Sequence, residues 1–297
     1  MQSWHLRPRQ KNVMEDLQNK FETWLRRLGY AESSLRSRSR QLRHFTDWLD
    51  GKSIEKTDQE LVEKYANYLH EKVSDRTGLG LSTRTIEAYL SVLVLLDTYR
   101  QKHGQAPLLR ARPQVQSKLE SKVRRIVRRA DVPKLYAAIP ADIKGPYLRC
   151  LLALFYGCGL RCGEGVRLKI REVDLAGGLL LVSRAKNHHQ RYVPLSEGVK
   201  SDLKTWLEGG RNRYAYAQCD NVLINRRGGP SRNGTLNKHL AELCALAGVE
   251  RVSLHGLRHS IATHLLADGM GLAAIGRFLG HRSLQATQTY THLVDEL

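Results

Sequence analysis

Apolar residues recur every three or four positions through most of this chain, and the polar faces between them are dominated by arginine. In "VMEDLQNKFETWLRRLGY", Val13, Leu17, Phe21, Trp24, Leu25 and Leu28 follow helical spacing and Gly29 supplies a stop. A second helix runs through "ESSLRSRSRQLRHFTDWLDG" on Leu35, Leu42, Phe45 and Leu49, and a third through "DQELVEKYANYLHEK". A fourth, "STRTIEAYLSVLVLLDTYR", starts behind Ser82, a good N-cap. These four predict a small helical domain over 10–104.

The C-terminal part changes period. "GPYLRCLLALFYGCG" reads as a buried helix ended by glycines. "GLLLVS" and "RYVPL" predict two strands of a hairpin, joined by the polar turn "RAKNHHQ", and "NVLI" predicts another short strand. The helix "RNGTLNKHLAELCALAG" comes next, then three helical pieces that end at "LGHRSLQATQTYTHL". The pattern predicts a mainly α protein with a small antiparallel β-sheet, its second domain α+β over 131–297. Between the domains, residues 105–130 hold eight basic residues against one acid, with two prolines and little periodicity at their start. They predict a basic linker. A basic linker between two domains suits a clamp that closes around a duplex.

Charge sharpens this reading. The 297 residues contain 48 Lys+Arg against 29 Asp+Glu, a net +19, which favours an anionic polymer as partner. No apolar run approaches the ~20 residues of a spanning helix, and "MQSWHLRPRQKNV" lacks the apolar stretch of a signal peptide, so nucleic acid is favoured over membrane. Cys150, Cys158, Cys162, Cys219 and Cys244 are odd in number and scattered. The Cys158/Cys162 spacing has no second pair to complete a zinc site, so the five are expected to be reduced, packed thiols with no bound metal.

On the second helix Arg36, Arg40 and Arg43 fall on one face with Arg38 adjacent, and no acid lies between Arg36 and Arg43. A merely solvated face would mix in acids; this one is expected to touch phosphate. Ser82, Thr83 and Arg84, at the start of the fourth helix, form a second candidate, because helix N-termini bind phosphate. Lys122, Arg124 and Arg125 of the linker form a third.

The candidate chemistry is spread over the second domain. Arg161 follows a glycine turn in "GCGLRCGE", with Glu164 three residues on. Lys186 is the only lysine between the hairpin strands, His255 and Arg258, at i and i+3 in "SLHGLRHS", are expected to share a helical face, and His281 precedes Tyr290 by nine. Taken singly each has a plain reading: an arginine on a helix end, a solvated lysine, neighbours on a helix, an aromatic anchor. In this order and spacing, however, they resemble the active-site signature of the tyrosine recombinase (phage integrase) family. "YGCGLRCGE", "KNHHQRYVPL" and "HGLRHSIATHLLADG…IGRFLGHRSLQATQTYTHL" look most like its Xer-type branch, and the basic helical part resembles the family's core-binding domain.

The resemblance implies cleavage and rejoining of DNA through a 3′-phosphotyrosine on Tyr290, with Arg161, Lys186, His255, Arg258 and His281 as the other catalytic residues. A free tyrosine has a pKa near 10, so only ~0.1% is phenolate at neutral pH and it needs activation. Arg161 and Arg258 can fork onto non-bridging oxygens, and their charge persists at physiological pH. His281 can donate to the phosphate, and His255 can accept or return the Tyr290 proton. The resemblance makes Lys186 the general acid to the departing 5′-oxygen. Glu164, acceptor-only when ionised, is expected to brace the arginine or histidine groups.

The resemblance further implies a cytoplasmic enzyme that needs no metal, ATP or other cofactor. Its partner would be double-stranded DNA with paired half-sites, bound as a dimer per site and a tetramer in synapse. A sequence-specific DNA-binding regulator would account for the charge and the helices but not for six phosphate-handling positions in family order. A metal-dependent nuclease would need a carboxylate cluster, where these stretches offer isolated acids such as Glu164. A type IB topoisomerase shares the chemistry, but the Xer-like motifs favour recombination.

Overall fold

The computed structural model describes residues 8–50, 52, 54, 57–74, 78–111, 113, 125–183 and 190–280. Lys122, Arg124, Lys186, His281 and Tyr290 lie outside the described residues. The chain divides into two units, Met1–Ser121 and Lys122–Leu297.

The first unit consists, among the described residues, of α1 (Pro8–Arg27), α2 (Glu32–Trp48), α3 (Gln59–Glu71) and α4 (Thr83–Lys102). The periodic residues form its core: Phe21 and Leu25 pack with Leu35, Leu42, Phe45, Val62, Tyr65, Leu69, Ile86, Leu90, Leu93 and Leu96. Leu28 departs from the expected stripe. It is 51% exposed, because α1 has ended and Gly29 turns the chain away at φ +83°. Side-chain caps start two of the helices: Asp58 accepts from Leu61 N at 2.9 Å, and Ser82 Oγ accepts from Thr85 N at 3.3 Å. The first residues of the expected linker also belong to this unit. Leu108 is buried in its core and donates its N–H to the buried Asp97 carboxylate.

The second unit opens with α5 (Val132–Ala137) and packs its helices around α6 (Gly145–Leu152) and α11 (Leu254–Ala267). Beyond α6 the helix widens into a π turn, Ala153–Gly157, followed by Gly159 at φ +58°. A Cβ on Gly159 would sit 2.8 Å from Leu279, so only glycine lets the chain turn here. Next come α7 (Cys162–Arg167), β1 (Val173–Asp174), β2 (Leu179–Val182) and β3 (Arg191–Pro194). The strands make an antiparallel sheet in the order β1-β2-β3, with Leu180 opposite Val193 and Val182 opposite Arg191. The hairpin is as expected, and β1 joins it through Val173 opposite Leu180.

Helices α8 (Glu197–Thr205), α9 (Arg211–Tyr214), α10 (Asn233–Leu246) and α12 (Leu272–Leu279) complete the unit. "NVLI" is not a strand. It makes isolated bridges, Lys169 with Asn221 and Ile224 with Pro230, while Val222, Leu223 and Ile224 are all buried. Its apolar run is core without a ladder, because its backbone is satisfied elsewhere: Val222 N donates to Leu168 O, and Val222 O accepts from Trp206 Nε1 at 2.8 Å. Near the start of the unit, the N–H of the buried Val127 donates to Ser260 Oγ at 2.8 Å, which fastens the far end of the expected linker to α11. Cys150, Cys158 and Cys244 are buried and Cys162 and Cys219 half-buried, all five free; burial pushes the Cys158 thiol up to about 12.

Candidate functional site: arginines around one carboxylate

The site is assembled where α7 begins and α12 ends. Arg161 is the N-cap of α7, and Glu164 in its first turn reaches back so that Oε2 accepts from Arg161 N at 2.8 Å. This places an acid at a helix N-terminus, where the dipole favours it. The same carboxylate accepts from Arg161 Nη1 at 2.9 Å, while Arg161 Nη2 donates to Gly280 O at 2.9 Å.

Arg258 enters from α11. Its side chain is 1% exposed, donates Nη1 to Gly159 O at 2.6 Å and Nη2 to Leu279 O at 2.7 Å, and brings Nη1 within 3.8 Å of Glu164 Oε2. The third arginine, Arg191 of β3, is a residue that reading the sequence passed over. Its Nη1 and Nη2 fork onto Glu164 Oε1 and Oε2 at 3.1 and 3.0 Å, and its Nε donates to Phe278 O at 2.9 Å. The signal was present in "RYVPL": strand alternation puts Arg191 on the face of the fully buried Val193. An arginine on a buried strand face needs acceptors within the fold, a carboxylate or backbone carbonyls.

Three guanidiniums therefore surround one carboxylate and the carbonyls of Phe278, Leu279 and Gly280 at the negative end of α12. Formal charge remains strongly positive, so the cluster suits an anion. Burial pushes the Glu164 carboxyl up, but the Arg191 fork and charge and the bonds from Arg161 outweigh it, bringing the group down to about 2. A carboxyl depressed from 4.5 to about 2 contributes stability that is present above pH 4.5 and lost as pH falls toward 2. The full contribution is roughly 3 kcal/mol. In denaturant unfolding, the stability advantage of the parent over Glu164→Gln should shrink by about that amount between about pH 5 and about pH 1. A pH-independent difference would show that Glu164 is not held ionised.

His255, at the start of α11, is exposed where Arg258 is buried, so their three-residue spacing gives neighbouring turns and opposite surroundings. The His255 ring lies edge-on to that of His259 at 4.3 Å and borders an open cavity of about 380 Å³ with Arg125, Arg251 and Asn237. The structure thus brings Arg161, Glu164 and Arg258 together and sets His255 on the same helix as Arg258.

The basic candidates differ among themselves. Arg36, Arg40, Arg43 and Arg84 are exposed and form no ion pair among the described residues. Arg38 is committed to packing: its Nη1 donates to Ser91 Oγ and to Ala88 O at 3.3 Å, tying α2 to α4. Ser82 uses its hydroxyl as the cap of α4, with Thr83 behind it, and Arg125 pairs with Glu250 at 3.0 Å. Among the described residues no helix is long and apolar enough to cross a membrane.

Comparison with known proteins follows the same lines. The model of the phage integrase family matches residues 125–296. The chain is 30% identical to tyrosine recombinase XerC of Halalkalibacterium halodurans over 86% of its length and 85% of the relative's. It is 27% identical to tyrosine recombinase XerD of Staphylococcus saprophyticus over 89% of each chain. Its fold is similar to that of XerH site-specific recombinase bound to palindromic difH substrate, with a TM-score of 0.71 at 24% identity over 89% of this chain and 77% of that one. The Tn1549 transposon integrase in complex with a circular intermediate DNA gives 0.72 at 17% identity, over 95% of this chain and 99% of that one.

Proposed function

This chain belongs to the phage integrase family, and from that membership we propose that it is a site-specific tyrosine recombinase acting on double-stranded DNA. The observation that carries the reading is the cluster of Arg161, Arg191 and Arg258 around Glu164 at the end of α12, eleven residues before Tyr290.

The chemistry follows from the groups. The Tyr290 hydroxyl attacks the scissile phosphorus and gives its proton to His255. The bond to the 5′-oxygen breaks, and Lys186 protonates that oxygen. The products are a 3′-phosphotyrosine and a free 5′-hydroxyl, and attack by another 5′-hydroxyl reverses the step. Phosphodiester energy stays in the covalent link, so rejoining needs no ATP.

The arginines divide the work. Arg161 is 28% exposed and can meet an incoming non-bridging oxygen from where it stands. Arg258, buried, adds positive charge from beneath and holds the Gly159 and Leu279 carbonyls; a phosphate oxygen taking the place of Leu279 O would receive the same N–H. His281 adds a further donor. Dimers on paired half-sites and a tetramer in synapse belong to this reading, as does a place in the cytoplasm, where the DNA is.

The test is covalent trapping in EDTA. A nicked duplex that loses its 5′ fragment on cleavage should leave the protein attached to DNA through a denaturing gel, with Tyr290 as the linked residue. The regulator reading expects binding with no such band.

The exposed arginines of α2 supply a separate prediction. If Arg36, Arg40 and Arg43 neutralise phosphates, the log–log salt slope of binding is about −0.9 per phosphate. The double change Arg36→Ala/Arg40→Ala should then flatten the slope by about two such contacts, to about 1.8 less. Arg38→Ala should act mainly through stability, since its guanidinium ties α2 to α4. Salt-insensitive binding would remove this face from the DNA contact.

A further inference from the structure

Glu164 offers two oxygens to three guanidiniums, and Arg191 takes both of them. Arg161 is left with one side-chain bond to the carboxylate, and Arg258 stands off at 3.8 Å. A buried carboxylate must have its charge met. Without Arg191, Glu164 would meet it with the two arginines assigned to the scissile phosphate, drawing them inward and spending their charge on a fixed acid.

The seat of Arg191 is shaped for this group. Gly280 caps α12 in the left-handed region at φ +67°, and a Cβ there would lie 2.8 to 3.1 Å from Nη1, Cδ and Cζ of Arg191. The glycine before His281 thus serves as both helix stop and room for a guanidinium. Through Nε, Arg191 also fastens β3 to Phe278 O. Lys186 lies five residues before Arg191 and His281 three after Phe278, so this one side chain joins the bases of two segments that carry candidate catalytic groups.

Resting on the recombinase reading above, we propose that Arg191 is a positioning residue for strand cleavage: it occupies Glu164 so that Arg161 and Arg258 remain available to the phosphate. It need not touch DNA to do so. Its effect is felt through the charge left at the site, which separates it from a residue that only holds the fold.

The experiment compares the full-length parent chain, Arg191→Met, Arg191→Lys and Glu164→Gln/Arg191→Met in single-turnover cleavage. One substrate carries a normal scissile phosphodiester and the other a methylphosphonate, which has no negative charge to neutralise. Arg191→Met should cleave the normal substrate about a hundredfold more slowly with DNA affinity little changed. Adding Glu164→Gln, which removes the unmatched acid, should recover about tenfold, since losing both partners of a buried pair costs less than losing one. On the methylphosphonate the Arg191→Met defect should shrink by a similar factor. Circular dichroism and thermal melting report whether each variant folds. If Arg191→Met does not, Arg191→Lys carries the test, because it keeps the charge without the fork and should show a smaller defect, again reduced on the methylphosphonate. A parent chain that forms no covalent complex overturns the recombinase reading and this inference with it. A parent that cleaves, beside a folded Arg191 variant equal to it or equally slow on both linkages, overturns this inference alone.

Discussion

Replacing Tyr290 by Phe is expected to remove the covalent protein–DNA complex completely, a loss in cleavage of at least about 10⁴-fold, with DNA affinity within about twofold of the parent. The reason lies in what the substitution keeps. Phenylalanine retains the ring and its packing, so a tyrosine that merely anchored the chain would be replaced with little consequence. Only the oxygen is lost, and the reading needs that oxygen to form the bond to phosphorus. The cluster at the end of α12 offers no hydroxyl in its place: it consists of guanidiniums, which are not nucleophiles, and a carboxylate paired with Arg191 and Arg161. A covalent band surviving the denaturing gel with Tyr290→Phe would assign the nucleophile elsewhere.

Lys186→Ala should show the second large effect, and one that depends on the leaving group. A departing 5′-alkoxide needs a proton as its bond to phosphorus breaks, and removing a general acid costs about 10²- to 10⁴-fold. If the bridging oxygen is replaced by sulfur, the leaving group is a thiolate, far less basic than an alkoxide (a cysteine thiol titrates at ~8.5), and it departs with little help. Lys186→Ala should therefore be slow on normal DNA and close to the parent on the 5′-phosphorothiolate. Arg161→Ala and Arg258→Ala act on non-bridging oxygens and should stay impaired on both. Equal defects of Lys186→Ala on the two substrates would reduce Lys186 to a phosphate contact.

These expectations draw unequally on sequence and structure. The helices of the first unit were legible because apolar residues recur at helical spacing over three turns or more in each, and residues such as Phe21, Leu25, Leu42 and Leu93 then meet in one core. The Ser82 cap was legible for the same kind of reason, since an N-cap bond spans three residues and is written locally. The β2–β3 hairpin could be read from two short β-prone runs on either side of the polar turn "RAKNHHQ". "NVLI" misled, because a short apolar run looks alike whether its backbone pairs in a ladder or is satisfied by Leu168 and Trp206 from elsewhere in the chain.

For the site, sequence order supplied residue types and spacing: Arg161 with Glu164 three residues on, then His255 and Arg258. It could not supply partners, because a guanidinium's partner lies wherever folding brings an acid or a carbonyl. Arg191, an inconspicuous arginine of a strand, proves to be the main counter-charge to Glu164, a residue 27 positions away. Arg38 read as one of a basic row, yet hydrogen-bonds to Ser91, 53 positions away on α4. Patterns of period two and 3.6 are short-range properties that a sequence carries openly. Charge pairing across a folded core is long-range, and the tertiary structure alone determines which arginine is spent inside the protein and which is left for a phosphate.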